Sequence, residues 1–242
     1  MAAALAACCT ARVQAQAPVY VGVHGGISIP NLHASGGNEV SEGYSSRLGP
    51  YFGVTGQYRL SSLFSLQAEA NYSAQGGKKD GLQAISARDV NPAADPGTYY
   101  YANYSSVARL NYVEVPVLAK FSFRLSDALD LSVDAGPYVG FLVSAKNKTS
   151  GKSAIYADKA ETQPFPVGEQ SFDADTDIKD QLHHTNWGIQ GGAELEHTLG
   201  RGYLFLHLGG NYGLVNIQKG SAHGKNNTGA ATALVGYAVR VR

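Results

Sequence analysis

From Leu110 to Phe123 the sequence reads LNYVEVPVLAKFSF. Val113, Val115, Val117, Ala119, Phe121 and Phe123 fall on one parity, and Tyr112, Glu114, Pro116, Leu118, Lys120 and Ser122 on the other. Side chains two residues apart share a face of an extended strand, so the run predicts a strand with an unbroken apolar face opposite a polar one. The same period recurs in eight segments: 19–29, 50–60, 63–75, 108–124, 129–145, 185–197, 203–217 and 230–242. Helical periodicity is scarce. These strands exceed the ~5–6 residues usual in globular sheets and match the ~9–11 that a tilted strand needs to cross hydrocarbon.

The links alternate in length. Ser61 and Ser62, residues 125–128 and residues 198–202 make short links, whereas 30–49, 76–107, 146–184 and 218–229 are long. Short turns on one side and long loops on the other predict an up-and-down antiparallel barrel, and an even strand count brings both termini to the short-turn side. Pro116 and Pro137 fall inside predicted strands, where a missing backbone donor predicts bulges.

The faces are assigned by what each parity carries. Ser65, Gln67, Glu69, Asn71 and Ser73 form one polar face; Asn186, Gly188, Gln190, Gly192, Glu194 and Glu196 form another. Over this parity of the eight segments Lys120 is the one lysine, which suits a narrow interior filled by its own side chains better than a solvated exterior. Arg59, Glu69, Glu114, Lys120, Asp130, Asp134, Glu194, Glu196 and Arg240 share that parity. They predict a lumen charge network of ion pairs between neighbouring strands, because unpaired buried charge is costly. On the apolar parity, Phe52, Tyr72, Phe141, Trp187 and Tyr212 collect near the long-loop ends. Tyr58, Phe64, Phe121, Phe123 and Tyr237 collect near the short-turn ends, so two aromatic girdles are predicted with aliphatic wall between.

Composition agrees with a membrane wall. Charged residues are 16% of 242, well below the usual ~25% of a soluble domain, while glycine (29) and tyrosine (15) are plentiful. Lysine plus arginine balances aspartate plus glutamate at 19 each, so no global field favours nucleic acid. No run approaches the ~20 apolar residues of a membrane helix, which excludes a helical membrane protein and leaves a strand-built one. The start, MAAALAACCTARVQAQAP, reads as the tail of a secretory signal peptide spanning 1–15, with Val13 and Ala15 at −3 and −1 and cleavage before Gln16. LAAC, ending at Cys8, is a second reading as a lipidation site, and the two stay open. Cys8 and Cys9 are the only cysteines, so residues 16–242 form one domain without disulfides.

Several stretches carry a family resemblance: YVGVHGGIS (Tyr20 to Ser28), the run from Gly49 to Lys78, LNYVEVPVLAKFSF, LDLSVDAGPYVGFL (Leu129 to Leu142), NWGIQGGAELE (Asn186 to Glu196) and the closing VGYAVRVR. The YVEVPVL and GPY runs are the most specific. Together these stretches resemble the PorT-like outer membrane β-barrel family of Bacteroidota. The resemblance implies an outer-membrane barrel in a Gram-negative cell envelope. It implies no single activity and no catalytic motif.

Candidate chemistry is sparse. Asp173, Asp175, Asp177 and Asp180 lie in the third long loop, but Ile178 stands where a calcium loop turns on glycine and His184 where it needs glutamate. His183 and His184 are adjacent and diverge on a strand; His24 and His207 share the lumen parity. No nucleophile elbow, phosphate loop or zinc-protease helix is present. Tyr99, Tyr100, Tyr101 and Tyr104 cluster in TYYYANYSS, where tyrosine's contact area suits a loop contact for a protein or glycan, or an upward continuation of the girdle. The expectation is an all-β, eight-stranded transmembrane barrel with short periplasmic turns and long extracellular loops. It is expected to act without catalysis, cofactor or metal, as a membrane scaffold or loop-mediated binding protein. Its partners are outer membrane lipid and lipopolysaccharide, with a protein or glycan at the loops. A small channel and a lipid-modifying enzyme are the alternatives.

Overall fold

Eight long strands carry the alternation into three dimensions: β1 (Val19–Ser35), β2 (Gly49–Arg59), β3 (Phe64–Lys79), β4 (Ser105–Arg124), β5 (Leu129–Ser150), β6 (Thr185–Leu199), β7 (Gly202–Gly213) and β8 (Lys225–Arg240). The computed structural model describes residues 17–220 and 224–242. The predicted leader, with Cys8, Cys9 and the cleavage site before Gln16, lies outside the described residues. Each strand pairs antiparallel with its sequence neighbour. β8 then returns to β1, from Tyr20↔Arg240 to Ser35↔Lys225, and closes the ring. Closure leaves no unpaired edge, the condition for a sheet to stand in hydrocarbon.

The short turns hold one another at one end. Arg59 N–H donates to the Pro18 carbonyl (3.0 Å), Thr198 N–H to Ala128 (2.8 Å), and Arg240 N–H to Arg201 (3.0 Å). Val19 N–H donates to the carbonyl of Arg242 (3.2 Å), so the start of β1 and the C-terminal residue meet there. At the other end the strands outrun the predicted boundaries: β1 continues past Ile29 to Ser35 and β5 past Ala145 to Ser150. Residues such as KNKTS there carry no apolar face, so their periodicity fades although the ladder persists. β7 instead stops at Gly213, short of the predicted end at Ile217.

The bulge also falls elsewhere than expected. Pro116 stays in register with Tyr138, and Pro137 with Ile189. The register shift lies between Asn111 and Tyr112, which face Ser144 and Leu142, leaving Val143 as the extra residue on β5. Pairing merely lapses around Pro116 and resumes unshifted at Ala119↔Ala135, so losing one donor breaks the ladder locally without adding a residue.

Burial is inverted relative to a soluble protein. Val23, Val117 and Leu208 on the outer face are 61%, 51% and 57% exposed, whereas Lys120 and Glu114 inside are 0% exposed. A wall of this kind is stable only where acyl chains replace water. All ten girdle aromatics lie on the outer parity. Phe52 stacks on Tyr72 at 4.9 Å near the long-loop side, and Phe64 meets Phe121 at 5.2 Å near the turns. From Tyr72 to Phe64 is ~27 Å along β3, or ~20 Å after a ~40° tilt, close to the ~25 Å apolar band of such walls.

Above the upper girdle the inward face turns apolar. Leu32, Ala108, Leu110, Tyr112, Leu142 and Ala145 from the strands pack with Leu182 and Ile217 from the loops into one buried cluster, with Tyr44 and Ile178 against it. The loops reach it by bridging: Leu182 pairs with Gln218, and His183 N–H donates to Ile217 (2.8 Å). This cluster caps the barrel at its long-loop end.

Candidate functional site

Inside the ring, inward side chains meet in layers, because an eight-stranded barrel is only wide enough for side chains from opposite walls to touch. The layer nearest the turns is ionic. Lys120 Nζ on β4 lies 2.5 Å from Glu194 Oε1 and 3.0 Å from Glu196 Oε1 on β6, reaching across β5. Arg59 on β2 meets Glu196 Oε2 at 3.4 Å from the opposite wall. Ser132 donates to Glu196 Oε1 (2.5 Å), and the Tyr203 ring lies 5.6 Å from Lys120 Nζ. Two cations thus face two carboxylates in a water-poor space, where pairing and hydrogen bonds offset desolvation.

The next layers are built from amides. Glu69 accepts from Gln67 (2.6 Å), Asn71 (2.7 Å) and Gln190 (3.4 Å). Asn71 also contacts His24 Nε2 (3.0 Å) and donates to the Tyr51 hydroxyl (2.8 Å), which in turn donates to Gln190 Oε1 (3.4 Å). Higher still, Glu114 accepts from Gln75 (3.3 Å) and Asn211 (2.9 Å), and Gln75 also donates to Asn211 across the lumen (3.2 Å). His207 Nε2 lies 3.1 Å from Asp134 Oδ2.

The predicted charge set therefore divides. Arg59, Lys120, Glu194 and Glu196 enter ion pairs, Asp134 contacts the His207 imidazole, and Glu69 and Glu114 are held by amides. Glu114 and Lys120 do not meet. Most pairs bridge over a strand or across the lumen rather than between neighbouring strands, because a cross-strand neighbour is held at ladder spacing while the narrow bore brings far walls together. Asp130 pairs with Arg124 (3.4 Å), whose side chain is 72% exposed at the turn rim. Arg240 is exposed and donates to the Arg242 carbonyl (2.9 Å); it lies outside the network because β8 ends there in solvent. Sequence reasoning missed the amide partners Gln75, Asn211 and Gln190, whose parity was legible but whose roles depend on the opposite wall.

The long loops form their own assembly. Residues Leu82–Ser86 and Tyr99–Asn103 make a hairpin within the second long loop. Three of the four clustered tyrosines are engaged inside the loops, and Tyr99 pairs with Ser86 across the hairpin. Tyr101 donates to Glu39 Oε2 (3.1 Å) and bridges Tyr156, Tyr100 meets Phe165 edge-on at 4.9 Å, and Tyr104 stacks on Phe172 at 4.6 Å. Lys159 adds an ion pair to Glu39 at 3.5 Å. Of the acidic run, Asp173 accepts from Gly151 N–H (3.1 Å) and Ser171 (3.1 Å), which hold its carboxyl below the usual range. Asp175 lies 3.9 Å from Lys146, and Asp177 accepts from Lys179 N–H (2.8 Å). Asp180 lies in a short 3-10 turn, and His183 and His184 are exposed. Among the described residues no three acidic, histidine or cysteine side chains converge as a metal site.

No curated protein matches the chain. Among solved structures it is similar to Neisserial surface protein A, at 13% identity and TM-score 0.40, over 92% of this chain and 96% of that one. It is similar to OprG from Pseudomonas aeruginosa at 12% identity and TM-score 0.40, over 94% and 97%. The outer membrane protease OmpT from Escherichia coli stands at 8% identity and TM-score 0.35, over 93% and 97%. A protein-family model, outer membrane protein beta-barrel domain, matches residues 14–219. The chain belongs to the outer membrane protein β-barrel domain family and is a protein of the bacterial outer membrane.

Proposed function

We propose that this protein is a non-enzymatic outer-membrane scaffold whose external loop assembly binds a protein or glycan partner, with no conducting lumen. The observation that carries this reading is the filled bore: the apolar cap around Tyr112 and Leu110 closes the outer mouth, and the Lys120–Glu194–Glu196–Arg59 layer closes the inner one. The histidine–carboxylate pair supports no hydrolase, since His207 Nδ1 engages no partner among the described residues and the pair is buried below the cap. The resemblance of YVEVPVL and GPY to PorT-like barrels supports a role in envelope or secretion work.

Removing residues 81–104 tests the reading. Lys79 pairs with Ser106, and the Ser105 hydroxyl donates to Asp80, so the deletion leaves a two-residue turn on an intact ladder. The expected result is a heat-modifiable barrel that no longer co-purifies with the partner cross-linked to the full-length protein in native membranes, and electrical silence of both in planar bilayers. Discrete conductance, or turnover of lipid or peptide by the purified barrel, would overturn it.

A further inference from the structure

A groove of about 630 Å³ lies on the outer wall where β1, β2, β3 and β4 rise past the upper girdle. Its apolar part is Ile29, Pro50 and Tyr72, continuous with the lipid-facing wall; its upper part holds Arg47, Lys78 and Arg109. No carboxylate lines it. None of the three cations forms an ion pair among the described residues; Asp80, two residues along from Lys78, accepts from the Ser105 hydroxyl, and Asp175 lies against Lys146.

The cations are placed by the fold. Arg47 donates through Nε and Nη2 to the Gln75 carbonyl (3.2 and 2.6 Å) and through Nη1 to Leu48 (3.2 Å). A guanidinium has five donors, so two are left beyond these three bonds on a residue that lines the groove. Arg109 stands opposite Gly76 on β3 and Lys146 on β5, and Lys78 opposite Val107, itself opposite Lys148. Like charges directly opposite on a sheet repel. Burial pushes the Arg47 pKa down, and the neighbouring Arg109 charge pushes it further. The sheet holds these cations together with no carboxylate lining the groove beside them, at the height where acyl chains give way to headgroups.

We propose that this groove binds a phosphate of an outer-leaflet glycolipid. Arg47 and Arg109 grip the phosphate oxygens with paired N–H donors, Lys78 adds a point charge, and an acyl chain descends past Ile29 and Tyr72. The apolar floor selects a membrane-anchored phosphate over a soluble one.

Native mass spectrometry of the full barrel in mild detergent tests this with three probes: an acylated bis-phosphorylated glucosamine disaccharide, the same lipid without phosphates, and inorganic pyrophosphate. The phosphorylated lipid is expected to stay bound, the dephosphorylated one to be lost, and pyrophosphate to bind far more weakly. The double variant Lys78→Gln/Arg109→Gln should weaken lipid binding by at least about tenfold, while Lys159→Gln does not. Equal retention of the dephosphorylated lipid, pyrophosphate binding as tight as the lipid, or undiminished binding by a heat-modifiable double variant would overturn the proposal. Should the double variant fail to fold, the two lipids compared on the wild-type barrel decide the matter.

Discussion

Lys120 Nζ, on a side chain with no solvent exposure, sits 2.5 Å from Glu194 Oε1 on the far side of an intervening strand. Backbone pairing sets Lys120 opposite Asp134 and Glu194 opposite Ser132, so the contact is made by side chains slanting through the bore. Lys120→Met is expected to leave the buried Glu194 without a cation and Glu196 with Arg59 alone, and to destabilise the barrel by about 3–5 kcal/mol. Adding Glu194→Gln should recover part of that loss. Urea-induced unfolding in detergent, followed by the heat-mobility shift, measures both; equal stability of Lys120→Met and wild type would contradict the pairing.

The cap makes a separate prediction. Tyr112 is fully buried among Leu110, Leu142 and Ile217. Tyr112→Ala should open a cavity and cost about 3–5 kcal/mol, and protease accessibility of the loops should rise with it.

Gly76 has φ +111, and a Cβ there would lie 2.1 Å from the Ala108 carbonyl oxygen. Gly76→Ala should therefore destabilise the barrel by more than about 1 kcal/mol, through both backbone strain and the clash. A melting temperature unchanged from wild type would argue against this geometry.

Trp187 is the single tryptophan and is 55% exposed on the outer face at the long-loop girdle. Its fluorescence in vesicles should be quenched strongly by lipids brominated near the headgroup and weakly by lipids brominated at the chain terminus. The reverse order would place the residue at the membrane midplane and displace the whole girdle.

Asp173 should titrate below the ordinary aspartate range of about 4, since the Gly151 amide and Ser171 hydroxyl favour its charged form. Its folded pKa is lowered, so its contribution to loop order is present above the unfolded value and fades as pH falls through the folded one. Amide exchange at Gly151 should be faster in Asp173→Asn than in wild type at neutral pH, and the difference should vanish in acid.

The sequence by itself determined the strands, their number and the orientation of the wall. Alternation is a local property, and an acyl-chain solvent requires Val113, Val115 and Phe121 to share one face, leaving Glu114 and Lys120 inside, whatever their neighbours. Turn lengths then set the up-and-down order. Which inward groups meet was decided only by the closed ring. Arg59 reaches Glu196, and Gln75 reaches Asn211, because closure and stagger bring remote strands to one height. The bulge beside Asn111 leaves no mark in the alternation from Leu110 to Phe123, while the cap built with Leu182 and Ile217 and the placement of Arg47 beside Arg109 draw on segments between the strands, where periodicity has ended. There, packing between loops replaces alternation as the organising force, and packing between distant segments leaves no pattern along the chain.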